Sequence, residues 1–244
     1  MDRTQHRETG AFLLVIRMIF TFWEGQMSAY INLCLKTWNF PFTILTYKNL
    51  NQYTDLPVDD NLKRFSLPKV ADAVRAHVLR DQGGYWLDAD TIMVGDTLPN
   101  TTVIGDPLLR WHTGGFLFAE KPQLDFYVDW ARYQDVVIAN SNCSDHWSVM
   151  INAFTDPYIG KHPEITITNI RNSWPETYMI DGDEPRYVKY TRFYFDSDCH
   201  LSDLDQTDML MLHNSWTPEW YKDLSEKEVL NQQCTLSNIL RELL

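Results

Sequence analysis

The sequence is short of basic residues, of paired cysteines and of long apolar runs. Its 21 lysines and arginines stand against 33 aspartates and glutamates, a net charge of -12, and such an excess repels nucleic acid and anionic membranes at long range. No basic patch is visible, so an anionic substrate must be met locally, by a metal ion or a few arginines. The four cysteines, Cys34, Cys143, Cys199 and Cys234, contain no close pair. That argues against a disulfide framework and a zinc site and fits a reducing, cytoplasmic compartment. The sequons at Asn100 and Asn142 would matter only in a secreted chain. The apolar run 12–22 is interrupted by Arg17, falls far short of a bilayer span and has no small-residue cleavage signature. It reads as a first buried strand. Repeats, low-complexity tracts and linkers are also absent, which favours a single α/β domain. With 44% apolar residues in 244, that domain has ample material for a core.

What is present alternates between strand and helix. Residues 1–10 are polar and expected to be loose. A strand over 15–22 ends at Trp23-Glu24-Gly25, the kind of junction where α/β proteins place ligands. Residues 27–38 carry apolar residues at Ile31, Leu35 and Trp38, a helical spacing, and Pro41 blocks continuation. A second strand follows over 42–47, then a loop over 49–61. Ser66 as cap and Pro68 in the first turn open a helix with a Val70, Val74, Val78 stripe, and Asp72 and Arg75 lie three apart on a different face. Gly83 suits a left-handed stop, and Gly84 lets the chain turn at once into a strand bearing Asp88 and Asp90. If that segment stays extended, Trp86, Asp88 and Asp90 share one face and Tyr85, Leu87 and Ala89 the other. Further strands are expected over 92–94, 102–105 and 114–119, and a helix over 123–138 with Phe126, Tyr127, Trp130 and Tyr133 as its apolar face. A second helix is expected over 145–154, short strands and turns over 165–194, a strand over 208–216, and a closing helix over 224–244.

Two carboxylates on one face want a cation between them and a substrate. The block Ala71-Asp72-x-x-Arg75, then Gly83-Gly84-Tyr85-Trp86-Leu87-Asp88-Ala89-Asp90, resembles the sugar-binding Asp-x-Asp region of family 32-type glycosyltransferases. These include capsular polysaccharide synthesis proteins and, more distantly, the large clostridial glucosylating toxins. The likeness is specific over about fifty residues. Phe20-Thr21-Phe22-Trp23-Glu24-Gly25 is similar to that family's first strand and tryptophan-glycine loop. His213-Asn214-Ser215-Trp216 is similar to its C-terminal element over the metal and diphosphate.

The resemblance implies a GT-A-type single domain, a Rossmann-like mixed sheet flanked by helices. Residues 11–120 would form the nucleotide-sugar and metal half, and residues 121–244 the acceptor half and closing element. It implies a retaining transferase using Mn²⁺ or Mg²⁺, a nucleotide-diphosphate sugar donor of the UDP-sugar kind, and a glycan or glycolipid acceptor through which peripheral membrane contact would come, with no transmembrane segment expected. Asp90 and His213 would ligate the metal, a hard oxygen and an imidazole that suit Mn²⁺. Asp88 would contact ribose and sugar, with Trp86 and Ala89 beside it. Arg75 and Asp72 would hold the transferring sugar. Trp23, next to Phe22, would stack on the base, and Asn214, Ser215 and Trp216 would lie at the phosphates. Metal and arginine would stabilise the leaving diphosphate, making Asp88, Asp90 and Arg75 the catalytic candidates.

Plainer readings stand beside these. An Asp-x-Asp can be a strand-end turn, Arg75 and Asp72 a surface ion pair, Trp23 a core aromatic, and His213 a buried histidine. Asp145 and His146, before Trp147, could supply an acceptor-side acid or base, or a helix cap. Gly114 and Gly115 could let the backbone approach a sugar, or only make a turn. Asp88-Ala89-Asp90-Thr91 also fits a haloacid-dehalogenase-type phosphatase, in which the first aspartate attacks phosphorus. Its second acidic motif would have to be Asp181-Gly182-Asp183, a poor match. A non-catalytic sugar-nucleotide-binding protein is the third reading.

Overall fold

The structure, a computed structural model, describes residues 18–98, 103–106, 111–140, 149–162, 167–168, 184–204 and 207–244. A six-stranded sheet runs in the order β2-β1-β3-β6-β5-β7. β1 (Ile19–Phe22) pairs in parallel with β2 (Phe42–Leu45) on one side and β3 (Gly84–Leu87) on the other. β3 pairs antiparallel with β6 (Trp111–Ala119), which pairs antiparallel with β5 (Val103–Asp106), and β7 (Ile167–Thr168) closes the far edge. The expected α/β sheet is therefore present, parallel at one end and mixed beyond it.

Alternation in β1 and β3 builds two cores, one on each face. Ile19, Tyr85 and Leu87 pack with α1 (Ala29–Lys36) and with the helices near the chain's end. Phe20, Phe22 and Trp86 pack against α3 (Leu67–Gln82) and α4 (Asp125–Ala139). The chain leaves β1 through α1 to reach β2, then returns through α3 to β3 on the opposite side of β1. This reversal opens a crevice beyond the carboxyl ends of β1 and β3, the place where open α/β sheets take ligands.

α3 begins one residue after Ser66 with Pro68 in its first turn, as the sequence suggests, although the Ser66 side chain makes no capping bond. Val70, Val74 and Val78 are fully buried. Gly83 and Gly84 have φ of 65° and 85°, values that side chains with a Cβ resist. A Cβ on Gly84 would also stand 2.6 Å from the Met18 carbonyl oxygen. This double glycine brings β3 up against β1, where the Tyr85 N–H donates to the same Met18 oxygen at 3.0 Å.

Four expectations need correction. The extended segment stops at Leu87, and residues 88–91 form a turn closed by the Thr91 N–H on the Asp88 carbonyl at 3.0 Å. β4 (Thr91–Met93) then leaves the main sheet to pair with β8 (Met209–Met211). Of the helix expected over 145–154, residues 145–148 lie outside the described residues, 149–151 form a turn, and α5 (Asn152–Lys161) begins after it. The Met150 carbonyl just before it is held out of a helical ladder by the Trp130 indole and the Gln134 amide, at 2.8 and 2.9 Å. Residues 186–194, expected as strands and turns, lie in a helix (Arg186–Thr191) that runs into a π-helical turn (Arg192–Asp196). Burial of Tyr190, Phe193, Tyr194 and Phe195 overrides their strand preference. The closing helix is two helices, Glu226–Asn231 and Thr235–Leu243, with Gln232 and Cys234 extended between them. Arg241 spans the break by donating to the Leu230 and Gln232 carbonyls. Among the described residues no helix is long and apolar enough to cross a membrane.

Candidate active site

The crevice at the strand reversal is a cleft of about 780 Å³. The chain continuing from β1 contributes Trp23 and Glu24, and the turn after β3 contributes Asp88, Ala89 and Asp90. The first turns of α3 add Lys69, Asp72 and Arg75, and the loop after β8 adds His213 and Asn214. Four carboxylates, Glu24, Asp72, Asp88 and Asp90, thus face two cationic side chains, Lys69 and Arg75. The wall is acidic, so an anionic group entering it needs a further cation.

Arg75 organises the acids. Its Nη2 stands 2.8 Å from Asp72 Oδ1 and 3.2 Å from Asp88 Oδ1, and its guanidinium lies 5.2 Å from the Trp86 ring centre. Trp86 is buried, does not line the cleft, and donates its indole N–H to Asp88 Oδ1 at 2.9 Å. It sits beneath the aspartate and aims it. The Asp88 N–H reaches past the strand end to the Gly115 carbonyl at 2.8 Å. Burial raises the Asp72 carboxyl to about 7 against the pull of Arg75, with Asp88 adding to the rise. The pair is therefore a buried cluster and not the surface ion pair of the plainer reading.

Asp90 is tied to the loop after β8. Its backbone carbonyl accepts from the Leu212 N–H at 3.1 Å, and its Oδ2 accepts from the Asn214 N–H at 2.8 Å. Burial, then the Asp88 charge, lifts its carboxyl to about 7. The His213 ring is held neutral, its pKa lowered to about 4 by burial and by Arg186. The His213 N–H donates to the Tyr190 hydroxyl at 3.2 Å, and the Thr217 hydroxyl donates to the His213 carbonyl at 3.1 Å.

Asp90 with a neutral imidazole is a chemically sound donor set for a divalent cation of the Mn²⁺ or Mg²⁺ kind. Among the described residues no group of three or more histidine, cysteine, aspartate or glutamate side chains forms a complete cage. Such ions are commonly held by one or two protein ligands, with substrate phosphates completing the shell. The residues fit an ion of that sort and do not fit a fully protein-enclosed one.

Of the expected site residues, Phe22, Trp23, Asp72, Arg75, Asp88, Ala89, Asp90, Gly115, His213 and Asn214 meet on the cleft. Ser215 is exposed and Trp216 half-buried, and neither lines it. Trp216 packs on the His213 ring with centroids 3.8 Å apart. Gly114 lies one residue from the cleft in β6. Asp145, His146 and the Asp181-Gly182-Asp183 segment lie outside the described residues. Residues the sequence reading passed over are Glu24, whose Oε2 accepts from the Tyr47 N–H at 2.9 Å, and Ser66, Leu67, Pro68 and Lys69 at the start of α3. The signal for the latter was topological. A crossover helix starts near the carboxyl edge of the sheet, so the cap before Pro68 already marked a site wall.

Comparison with known proteins gives a family. No curated protein matches. Among solved structures, the chain is similar to a glycosyltransferase involved in the glycosylation of the major capsid of PBCV-1. That match has 11% identity, covers 62% of this chain and 79% of that one, and has a TM-score of 0.32. It is also similar to the apo-form glycosyltransferase GlyE of Streptococcus pneumoniae TIGR4, at 12% identity over 88% of this chain and 62% of that one, with a TM-score of 0.41. Residues 10–167 match the capsular polysaccharide synthesis protein family, and the chain belongs to it.

Proposed function

We propose that this chain is a glycosyltransferase of the GT-A type that moves a sugar from a nucleoside-diphosphate donor to a glycan or glycolipid acceptor. The observation that carries this reading is the convergence of Asp72, Arg75, Asp88, Asp90 and His213 on one cleft beyond the carboxyl ends of β1 and β3. Asp90 and His213 would hold a divalent cation, Mn²⁺ or Mg²⁺, which when bound supplies positive charge to the leaving diphosphate.

The chain's own residues do the rest. Trp23 at the end of β1 offers a face to the base, in keeping with a UDP-sugar donor. Asp72 and Asp88, fixed by Arg75, accept hydrogen bonds from sugar hydroxyls and set the reacting carbon. Arg75 is committed to two carboxylates, so its part is to orient acids more than to meet phosphate. Asp88 Oδ1 accepts a hydrogen bond from Trp86 and is ion-paired with Arg75, which weakens it as an attacking group. That favours the transferase over a phosphatase using Asp88 as nucleophile. Within the retaining reaction that the family resemblance implies, it also favours front-face attack, in which the departing phosphate takes the acceptor's proton, over a covalent intermediate on Asp88.

The test is incubation with a panel of nucleotide sugars and Mn²⁺, with nucleoside diphosphate release as the readout. Release that stops on chelation and in Asp90→Asn supports the reading, and an α-glycoside formed from an α-linked donor establishes retention. Phosphate release from a generic phosphomonoester, lost in Asp88→Asn, would overturn it.

A further inference from the structure

Asn214 meets the cleft from one side and a buried phenol from the other. Tyr30, in the first turn of α1 and fully buried, donates its hydroxyl to Asn214 Oδ1 at 2.5 Å, across 184 residues of chain. The Asn214 N–H meanwhile donates to Asp90 Oδ2 at 2.8 Å. A carboxamide has one carbonyl and one NH₂ end, so with its oxygen turned inward Asn214 presents the NH₂. Among the described residues no group accepts from that NH₂.

The phenol is a reliable donor. Burial, and the Asp90 charge after it, hold its pKa far above the usual tyrosine range. The surrounding turn is pinned as well. Tyr190 accepts from the His213 N–H, the Thr217 hydroxyl donates to the His213 carbonyl, and the Tyr190 and Thr217 hydroxyls stand 3.2 Å apart.

We infer that Tyr30 is a positioning residue: it locks the Asn214 amide with its NH₂ toward the cleft, so that Asn214 donates to the oxyanion of a diphosphate seated beside Asp90. The inference rests on the transferase reading. In a wall of four carboxylates an Asn214 carbonyl facing the cleft would repel such a group, and the orientation that Tyr30 enforces turns the same side chain into a donor. The phenol acts from the opposite side of the sheet from α3, through Asn214, with the Thr217 hydroxyl as its second hydrogen-bonding neighbour.

The experiment is titration of inorganic pyrophosphate in the presence of Mn²⁺, with Mn²⁺ alone and thermal melting measured alongside. Tyr30→Phe should weaken pyrophosphate about tenfold, the loss of one hydrogen bond to a charged group, and leave Mn²⁺ affinity unchanged. Asn214→Ala should weaken it at least as much, and the double variant no further than Asn214→Ala alone, because Tyr30 acts through Asn214. Asn214→Asp tests the orientation without touching the phenol, and should cost more than Asn214→Ala by placing negative charge where the NH₂ stood. A Tyr30→Phe protein that melts lower but binds pyrophosphate as the parent does, additive losses, or an Asn214→Asp variant that binds normally would each overturn the inference. A parent protein that binds neither Mn²⁺ nor pyrophosphate would instead overturn the transferase reading itself.

Discussion

Arg75 and Asp72 form an ion pair at 2.8 Å, three residues apart on one helix, with 6% and 13% of their side chains exposed. Removing one partner of such a pair strands the other charge in low dielectric, a loss of about 3–5 kcal/mol. Arg75→Met, which leaves Asp72 and Asp88 facing each other without their cation, should therefore destabilise the fold in chemical denaturation, and Asp72→Asn far less, because Arg75 keeps Asp88 as its partner. The pH dependence has a definite sign. With its folded pKa near 7 and its ordinary value at 3.8, Asp72 takes up protons on folding between those values. Its contribution is full below that window and is lost as pH rises through it. Asp72→Asn should flatten this part of the stability profile.

Gly84 separates backbone strain from helix propensity when compared with Gly160. A Cβ at Gly84 would sit 2.6 Å from the Met18 carbonyl oxygen on a residue with φ of 85°. Gly84→Ala must then push β1 and β3 apart in addition to the left-handed strain of about 1–2 kcal/mol. Gly160 lies in α5 with nothing within 4 Å of a built Cβ, so Gly160→Ala should stabilise by about 0.5–1 kcal/mol. Melting curves of the two variants should move in opposite directions.

The contrast between these elements explains what the sequence made legible. The valine stripe of α3 and its glycine stop are local signals, and local signals survive into the fold. Trp23, Asp88, Asp90, His213 and Asn214 were readable because they follow strand ends, and Asp72 and Arg75 because they lie on the helix that leads into one. The break at residues 232–234 was hidden because the apolar period continues across it, and the packing of Thr235–Leu243 on Ser197 and Cys199 is a long-range event. The Arg186–Asp196 segment misled because its aromatics suit a strand as well as a buried helix. Lys69 belongs to no motif, and Glu24 sits inside one without a role assigned to it. They reach the cleft because strand order places their elements there, and strand order is not written in any single segment.

Trp23 lines the cleft half-buried, its indole N–H 3.4 Å from the Gln26 carbonyl oxygen. If its face receives the base of the donor, Trp23→Ala should weaken a bound nucleoside diphosphate by about 1–3 kcal/mol, and Trp23→Phe should retain most of the affinity. Inorganic pyrophosphate, which has no base to stack, should bind both variants as it binds the parent. Calorimetric titration of the two ligands, each with Mn²⁺, separates base stacking from a general loss of the site.

His200 and Glu242 fasten the end of the chain to the segment before β8. The imidazole Nδ1 lies 2.5 Å from Glu242 Oε1, and the Leu201 N–H donates to Glu242 Oε2 at 3.0 Å. The Glu242 hydrogen bond raises the His200 pKa above its ordinary 6.5. A histidine whose folded pKa lies above its unfolded value stabilises fully below the unfolded value, and loses that contribution as pH rises through the folded one. Glu242→Gln keeps an acceptor for Leu201 but removes the charge that favours the imidazolium. The variant should melt below the parent in mildly acid buffer and converge with it once His200 is neutral in both. Because the pair is open to water, added salt should narrow the acid-side gap. A gap that stayed constant across melting curves from about pH 5.5 to about pH 9 would assign the loss to packing of the Thr235–Leu243 helix and not to the charge on His200.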